Sequence, residues 1–222
     1  MMTDQSVNNA MTKPQPRRRK DARPAELLDA ALEVFAEKGF AAARMEDIAT
    51  RAGASKGTIY LYFPSKEAVF QALVQSMIIP NIAQAEAIAD QYDGQIAPLL
   101  RQLFGLLTEI LRNSRIVVLP RLIIGEVYRF PDLARFYKEN VLDRGLGLIA
   151  RLHQRGVESG EFRPEDSDAV ARLVVAPVLL MAIWRTVFAP ISDEVFDPAP
   201  VLNAHVETLL HGLSAVPQEV KS

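Results

Sequence analysis

Cysteine is absent from the 222 residues. Disulfides and thiolate metal sites are thereby excluded, and a reducing cytoplasm is the expected setting. Long apolar runs are missing too. The best, Leu173 to Trp184, is too short for a bilayer and meets Arg185 at once, so no membrane partner is expected. The basic N-terminus has no apolar segment behind it and does not read as a secretory leader. No glycine-rich phosphate loop follows a strand pattern, and no acid–base set stands at a motif's spacing, so the chain does not read as an enzyme. His153, His205 and His211 lack metal-site spacing, and the Glu207–His211 pair has no third ligand. No catalytic residue, metal or cofactor is expected.

Strand signals are scarce, with no long period-2 alternation. Apolar residues instead recur at three- and four-residue spacing, and a hydrophobic content of 49% is ample for a core. The expected fold class is all-α, with about nine helices: three short ones in front and six longer ones behind. Leu27, Leu28, Ala31, Leu32 and Phe35 form the first stripe, which Gly39 ends. Ser65 caps a long helix from Lys66 to about Tyr92, bent at Pro80. Further helices are expected over roughly 96–112, 116–129, 131–159, 167–188 and 201–213, the fourth capped by Asp166 or Ser167. Charge is uneven. Lys13, Arg17, Arg18, Arg19 and Lys20 face only Asp4 in the first twenty residues, whereas the whole chain carries a formal −2. A short basic arm thus precedes an acidic body, as expected of one local phosphate contact.

The chemistry concentrates between Met45 and Lys66, MEDIATRAGASKGTIYLYFPSK. Met45, Ile48 and Ala49 share an inward helical face. Gly53 stands where the chain must reverse, which a left-handed glycine permits. Ser55 is a good N-cap, so Lys56, Gly57 and Thr58 form the next helix's first turn, whose free N–H groups and positive dipole favour phosphate. Gly57 lets the backbone come close to a ligand. Ile59 and Phe63, four apart, point inward, while the hydroxyls of Tyr60 and Tyr62 and the cation of Lys66 suit phosphates. Each residue alone has a plain structural reading, as turn glycine, surface aromatic or solvated lysine. Together they spell a helix-turn-helix, which presents one helix end to the major groove.

Residues 26–70, through EVFAEKGF and MEDIATRAGASKGTIYLYFPSKEAVF, resemble the N-terminal domain of the TetR family of bacterial transcriptional regulators. The resemblance implies an omega-shaped helical homodimer with three N-terminal helices for DNA and a larger C-terminal domain for ligand and dimerisation. It places Lys56, Gly57, Thr58 and Leu61 near bases, and Tyr60, Tyr62 and Lys66 at phosphates. Two departures stand out. Arg44 replaces the usual Ser or Thr cap and offers a charge-assisted phosphate contact instead. Leu61 occupies a position more often polar or aromatic, where it either meets a thymine methyl or packs in the domain's own core. The implied division is a disordered basic arm over 1–20, a DNA-binding domain over 21–66, a ligand-binding and dimerisation domain over 67–216 and a tail over 217–222. The basic arm either stays solvated or reaches a minor groove.

In the larger part, AVARLVVAPVLLMAIW is apolar nearly all round, and the last helix stripes Val201, Leu202, Val206, Leu209, Leu210 and Leu213. These two helices are the expected homodimer surface. Phe104, Leu107, Tyr128, Met181 and Trp184 are candidates to line an apolar effector cavity. Arg121, Glu126 and Arg185 are charges in apolar surroundings that need partners or a polar ligand. The expected function is a repressor released from a palindromic double-stranded DNA operator by a small-molecule effector. The alternative is an effector-independent helical protein that binds DNA or another partner.

Overall fold

The computed structural model describes residues 16–126, 128–193 and 195–215, with side chains described from 23 onward. The expected arm therefore lies outside the described residues up to 15, as do the side chains of Arg17 to Lys20 and the whole of the expected tail. Nine helices follow one another among the described residues, with no strand beyond an isolated bridge between Phe162 and Ser214. They are α1 (Pro16–Ala42), α2 (Met45–Arg51), α3 (Lys56–Tyr62), α4 (66–91), α5 (Ile96–Asn113), α6 (Val118–Glu126), α7 (131–158), α8 (167–188) and α9 (Ala199–Leu213). α4, α7 and α8 each contain one π turn, at Val74–Ile78, Lys138–Leu142 and Trp184–Phe188. Pro80 sits just beyond the first of these, so the expected bend is taken up as a widened turn.

The punctuation works as local chemistry requires. Gly39 takes φ 74° and breaks the helical run of α1, so Phe40 turns back beneath it. Ser55, Ser65 and Asp166 accept backbone N–H bonds at the starts of α3, α4 and α8. Two apolar cores result. One gathers Leu27, Phe35, Phe40, Ile48 and Ile59 from the head, together with Phe70, Leu119 and Tyr137 from α4, α6 and α7. The other lies within α4–α9, around Leu99, Phe104, Leu152, Val174 and Leu202. The head thus shares its core with the body, and α6 is the shared wall.

One correction concerns α8. Its helical tract runs from Ser167 to Ile191 and is, by length and composition alone, sufficient to cross a bilayer. Arg185 does not stop it, because the guanidinium turns inward and donates to the carbonyls of Leu111 and Ser114. Little of the tract's apolar surface is buried within one chain.

Two glycines of α7 separate packing from propensity. A methyl at Gly156 would collide with the Phe162 ring, which is caged at 3% exposure and stacked 6.0 Å from His153. A methyl at Gly145 meets nothing within 4 Å. Gly145→Ala is expected to raise stability by about 0.5–1 kcal/mol. Gly156→Ala is expected to lower it despite the same propensity gain, since overpacking costs about 1–3 kcal/mol. Thermal unfolding of the two variants checks the opposite signs.

Candidate nucleic-acid interface

The α2–turn–α3 unit is fixed from beneath. Met45, Ile48 and Ala49 of α2 and Ile59 of α3 are buried, and Gly53 makes the turn at φ 61°. Ser55 Oγ accepts from Thr58 N at 3.1 Å and lies 2.8 Å from Thr58 Oγ1, which sets the threonine rotamer. Opposite Ile59, α3 turns Lys56, Gly57, Tyr60 and Leu61 to solvent. Leu61 is 74% exposed, so the core-packing alternative for it does not hold. Tyr62 is half-buried and packs against the head core with part of its ring.

Arg44 precedes α2 in extended conformation with its side chain exposed. A guanidinium has no acceptor with which to cap a helix. Asp47 reaches back instead, accepting from Arg44 N at 3.1 Å while pairing with Lys38 at 2.9 Å. Arg51 ties α2 to α1 through two bonds to Glu37, at 2.8 and 2.6 Å, and one to Glu33 at 3.1 Å. Hydrogen bonds from these cations hold the carboxyls of Glu33, Glu37 and Asp47 below the usual carboxylate range. Lys56 Nζ lies 2.6 Å from Glu46 Oε1, which lowers the glutamate and raises the lysine. Glu46 and this ring of paired charges were not legible in the sequence, where nothing distinguishes a paired surface acid from a solvated one.

Lys66 departs from the phosphate role implied for it. Its ammonium donates to the carbonyls of Phe40 and Ala41, both at 2.9 Å, and of Ala43 at 3.5 Å. It also lies 4.8 Å from the Phe40 ring and 5.3 Å from that of Phe130. All three N–H donors are engaged, so Lys66 closes the end of α1 rather than facing a ligand.

Two of the charges taken as pocket candidates are fasteners between head and body. Arg121 donates to Ala36 O at 3.0 Å and to Thr186 O at 3.1 Å. Glu126 Oε1 accepts from Ala41 N at 3.2 Å, and its buried Oε2 has no partner. The Phe130 ring stands edge-on to Phe40 at 4.9 Å. The other candidates differ widely in burial. Phe104 and Met181 are core, Leu107 is half-buried, Arg185 binds carbonyls, and Tyr128 and Trp184 are 98% and 45% exposed. The sequence could not separate these outcomes, because core, interface and cavity share one apolar periodicity. An open groove of about 550 Å³ lies elsewhere, between α1 and the α4–α5 pair, lined in part by Leu32, Met77, Asn81 and Ile110.

A reading helix anchored on one side and displayed on the other, in a three-helix head on a helical body, defines a helix-turn-helix DNA-binding protein. Two family models match, one described as bacterial regulatory proteins of the tetR family over residues 27–73, the other as a tetracyclin repressor-like C-terminal domain over 93–199. The HTH-type transcriptional regulator YfiR of Bacillus subtilis is 31% identical over 147 residues, 65% of this chain and 70% of that one. The solved ketosteroid transcriptional regulator KstR2 of Mycobacterium tuberculosis is similar at TM-score 0.68 and 26% identity, covering 86% of this chain and 95% of that one. The regulator FadR from Bacillus subtilis, solved with stearoyl-CoA, shares the fold at TM-score 0.67 and 21% identity, covering 85% of this chain and 98% of that one. The chain belongs to the TetR family of bacterial transcriptional regulators.

Lys66→Ala is expected to lower stability by about 1–3 kcal/mol, the cost of leaving partly buried carbonyls without a charged donor. The salt dependence of DNA binding should stay unchanged. A slope reduced by about one unit would restore a phosphate contact to Lys66.

Proposed function

We propose that the chain is a homodimeric repressor that acts in the cytoplasm, grips a pseudo-palindromic double-stranded DNA operator and is released by a small-molecule effector. The display on α3 carries the reading: Ile59 is fully buried while Leu61 is 74% exposed. Lys56, Gly57, Thr58 and Leu61 approach base edges, with a thymine methyl suiting the leucine. Arg44, Ser55, Tyr60 and Tyr62 meet phosphates, aided by the start of α3.

One short helix reads few base pairs, and a twofold axis doubles the contact. α8 supplies a surface for that axis, with Leu173, Leu180, Trp184 and Phe188 exposed along it and Val201 exposed on α9. Apolar surface of this kind on a helix pair suits a four-helix contact with a second copy.

The effector proposed is mainly apolar with a polar end, bound within 95–188. Relatives that carry a ketosteroid regulator's name or hold stearoyl-CoA support that class. Arg121, Glu126 and Phe130 give its arrival a direct route to the end of α1. With couplings of about 1–3 kcal/mol, operator affinity should fall about 5- to 150-fold at saturation. The second reading is an effector-independent protein that binds DNA or another partner. Titration with stearoyl-CoA and a steroid panel separates the two.

Selection from random duplexes should yield a symmetric site bound at about 10⁻⁸ to 10⁻¹¹ M. Thr58→Ala and Leu61→Ala should each change the preferred bases, costing about 1–3 kcal/mol per lost contact. A site without internal symmetry contradicts the dimeric reading. In a separate light-scattering measurement, Leu180→Glu combined with Trp184→Glu should convert a dimer to monomers and abolish operator binding.

A further inference from the structure

We infer that Glu46 is a positioning residue for DNA specificity, one that aims the Lys56 ammonium at the groove and cancels its charge against phosphate. The inference rests on the DNA-binding reading above.

Lys56 opens α3, and Glu46 lies in the first turn of α2, so the 2.6 Å pair spans the two helices on the outward face. Both side chains are open to solvent, at 66% and 47% exposure. The ammonium also lies 6.0 Å from the ring centroid of Tyr60, one turn further along α3. An acid on one side and a ring on the other restrict a side chain that is otherwise among the most mobile. An exposed ion pair contributes little to stability, so restraint and charge are what this pair changes.

A carboxylate on a surface that meets a polyanion is unfavourable by itself. Paired with Lys56, it converts a free cation into a neutral unit with donors left over. A lysine donates to guanine O6 and N7 whether or not its charge is balanced nearby, but it attracts phosphates of any sequence only when it is not. Glu46 therefore subtracts from sequence-independent binding while leaving base contact available, which raises discrimination. The surrounding head follows the same pattern. Arg51 is bound by Glu33 and Glu37, Lys38 by Asp47, and Lys66 by backbone carbonyls.

The test compares the full chain with Glu46→Gln, Lys56→Met and the double variant, each titrated over a salt series against the selected operator and a random duplex. Far-ultraviolet circular dichroism and melting check that all four are folded. Glu46→Gln should tighten binding to the random duplex, steepen its salt slope by about 0.9 unit and lower the operator-to-random ratio. In the Lys56→Met background the same substitution removes a lone carboxylate, so it should tighten binding to both duplexes alike and leave the operator-to-random ratio unchanged, because the effect on discrimination runs through Lys56. A fall in that ratio of equal size in both backgrounds would overturn the role of Glu46. So would unchanged slopes in the Lys56 background of the natural sequence. A natural chain that binds operator and random duplex alike overturns the DNA-binding reading itself, and Glu46 with it; intact discrimination with additive variants overturns Glu46 alone.

Discussion

Complete burial of the Phe40 ring ties the reading head to the rest of the molecule. Gly39, at φ 74°, turns the chain so that Phe40 packs 5.3 Å from Phe35, 5.8 Å from Phe70 and 4.9 Å from Phe130. These rings belong to α1, α4 and the segment between α6 and α7. Burying a phenylalanine stabilises by about 1.5–3 kcal/mol, and each well-set aromatic pair adds about 0.5–1.5. The polar groups around the ring are arranged to match. Lys66 covers the carbonyls that end α1, and Glu126 accepts the N–H of Ala41. A break in this cluster frees α2 and α3 from the body, however well their own helices form.

The outward face follows from the inward one. With Met45, Ile48 and Ile59 buried, helical periodicity leaves Glu46, Lys56, Tyr60 and Leu61 no direction but solvent. Among the described side chains of the head, Arg23, Lys38, Arg51 and Lys56 are paired with carboxylates, and Arg44 is exposed. The exposed apolar side chains of α8, among them Leu173, Leu180 and Trp184, belong to a helix other than those of the reading unit.

Local signals in the sequence were reliable. Helix existence, the stops at Gly39 and Gly160 and the caps at Ser55, Ser65 and Asp166 follow from 3.6-residue periodicity and short-range chemistry. So did the burial of Ile59 and Phe63 in the reading unit. Partners were not legible. Arg121, Glu126 and Arg185 stand out in the sequence as charges needing partners and Lys66 as a cation suited to phosphate, but the groups they meet are mostly backbone atoms remote in sequence, such as Ala36 O for Arg121. Pattern carries no information on which distant carbonyl will lie nearby. Tyr128 and Trp184 are exposed, which the sequence does not foretell, because an apolar side chain on a helical stripe looks the same whether it faces a core or the outside.

The claim that a shared aromatic cluster holds the reading unit in place is tested most directly by native-state hydrogen exchange on Phe130→Ala. Phe130 lies outside α2 and α3, with its ring against Phe40 at the edge of the core that also holds Ile48 and Ile59. Amides of Ile48 and Ile59 should lose protection along with those of α4, since the head opens as one unit once its attachment is weakened. Loss of protection confined to α6 and α7, with Ile48 and Ile59 exchanging as in the natural chain, would contradict the account.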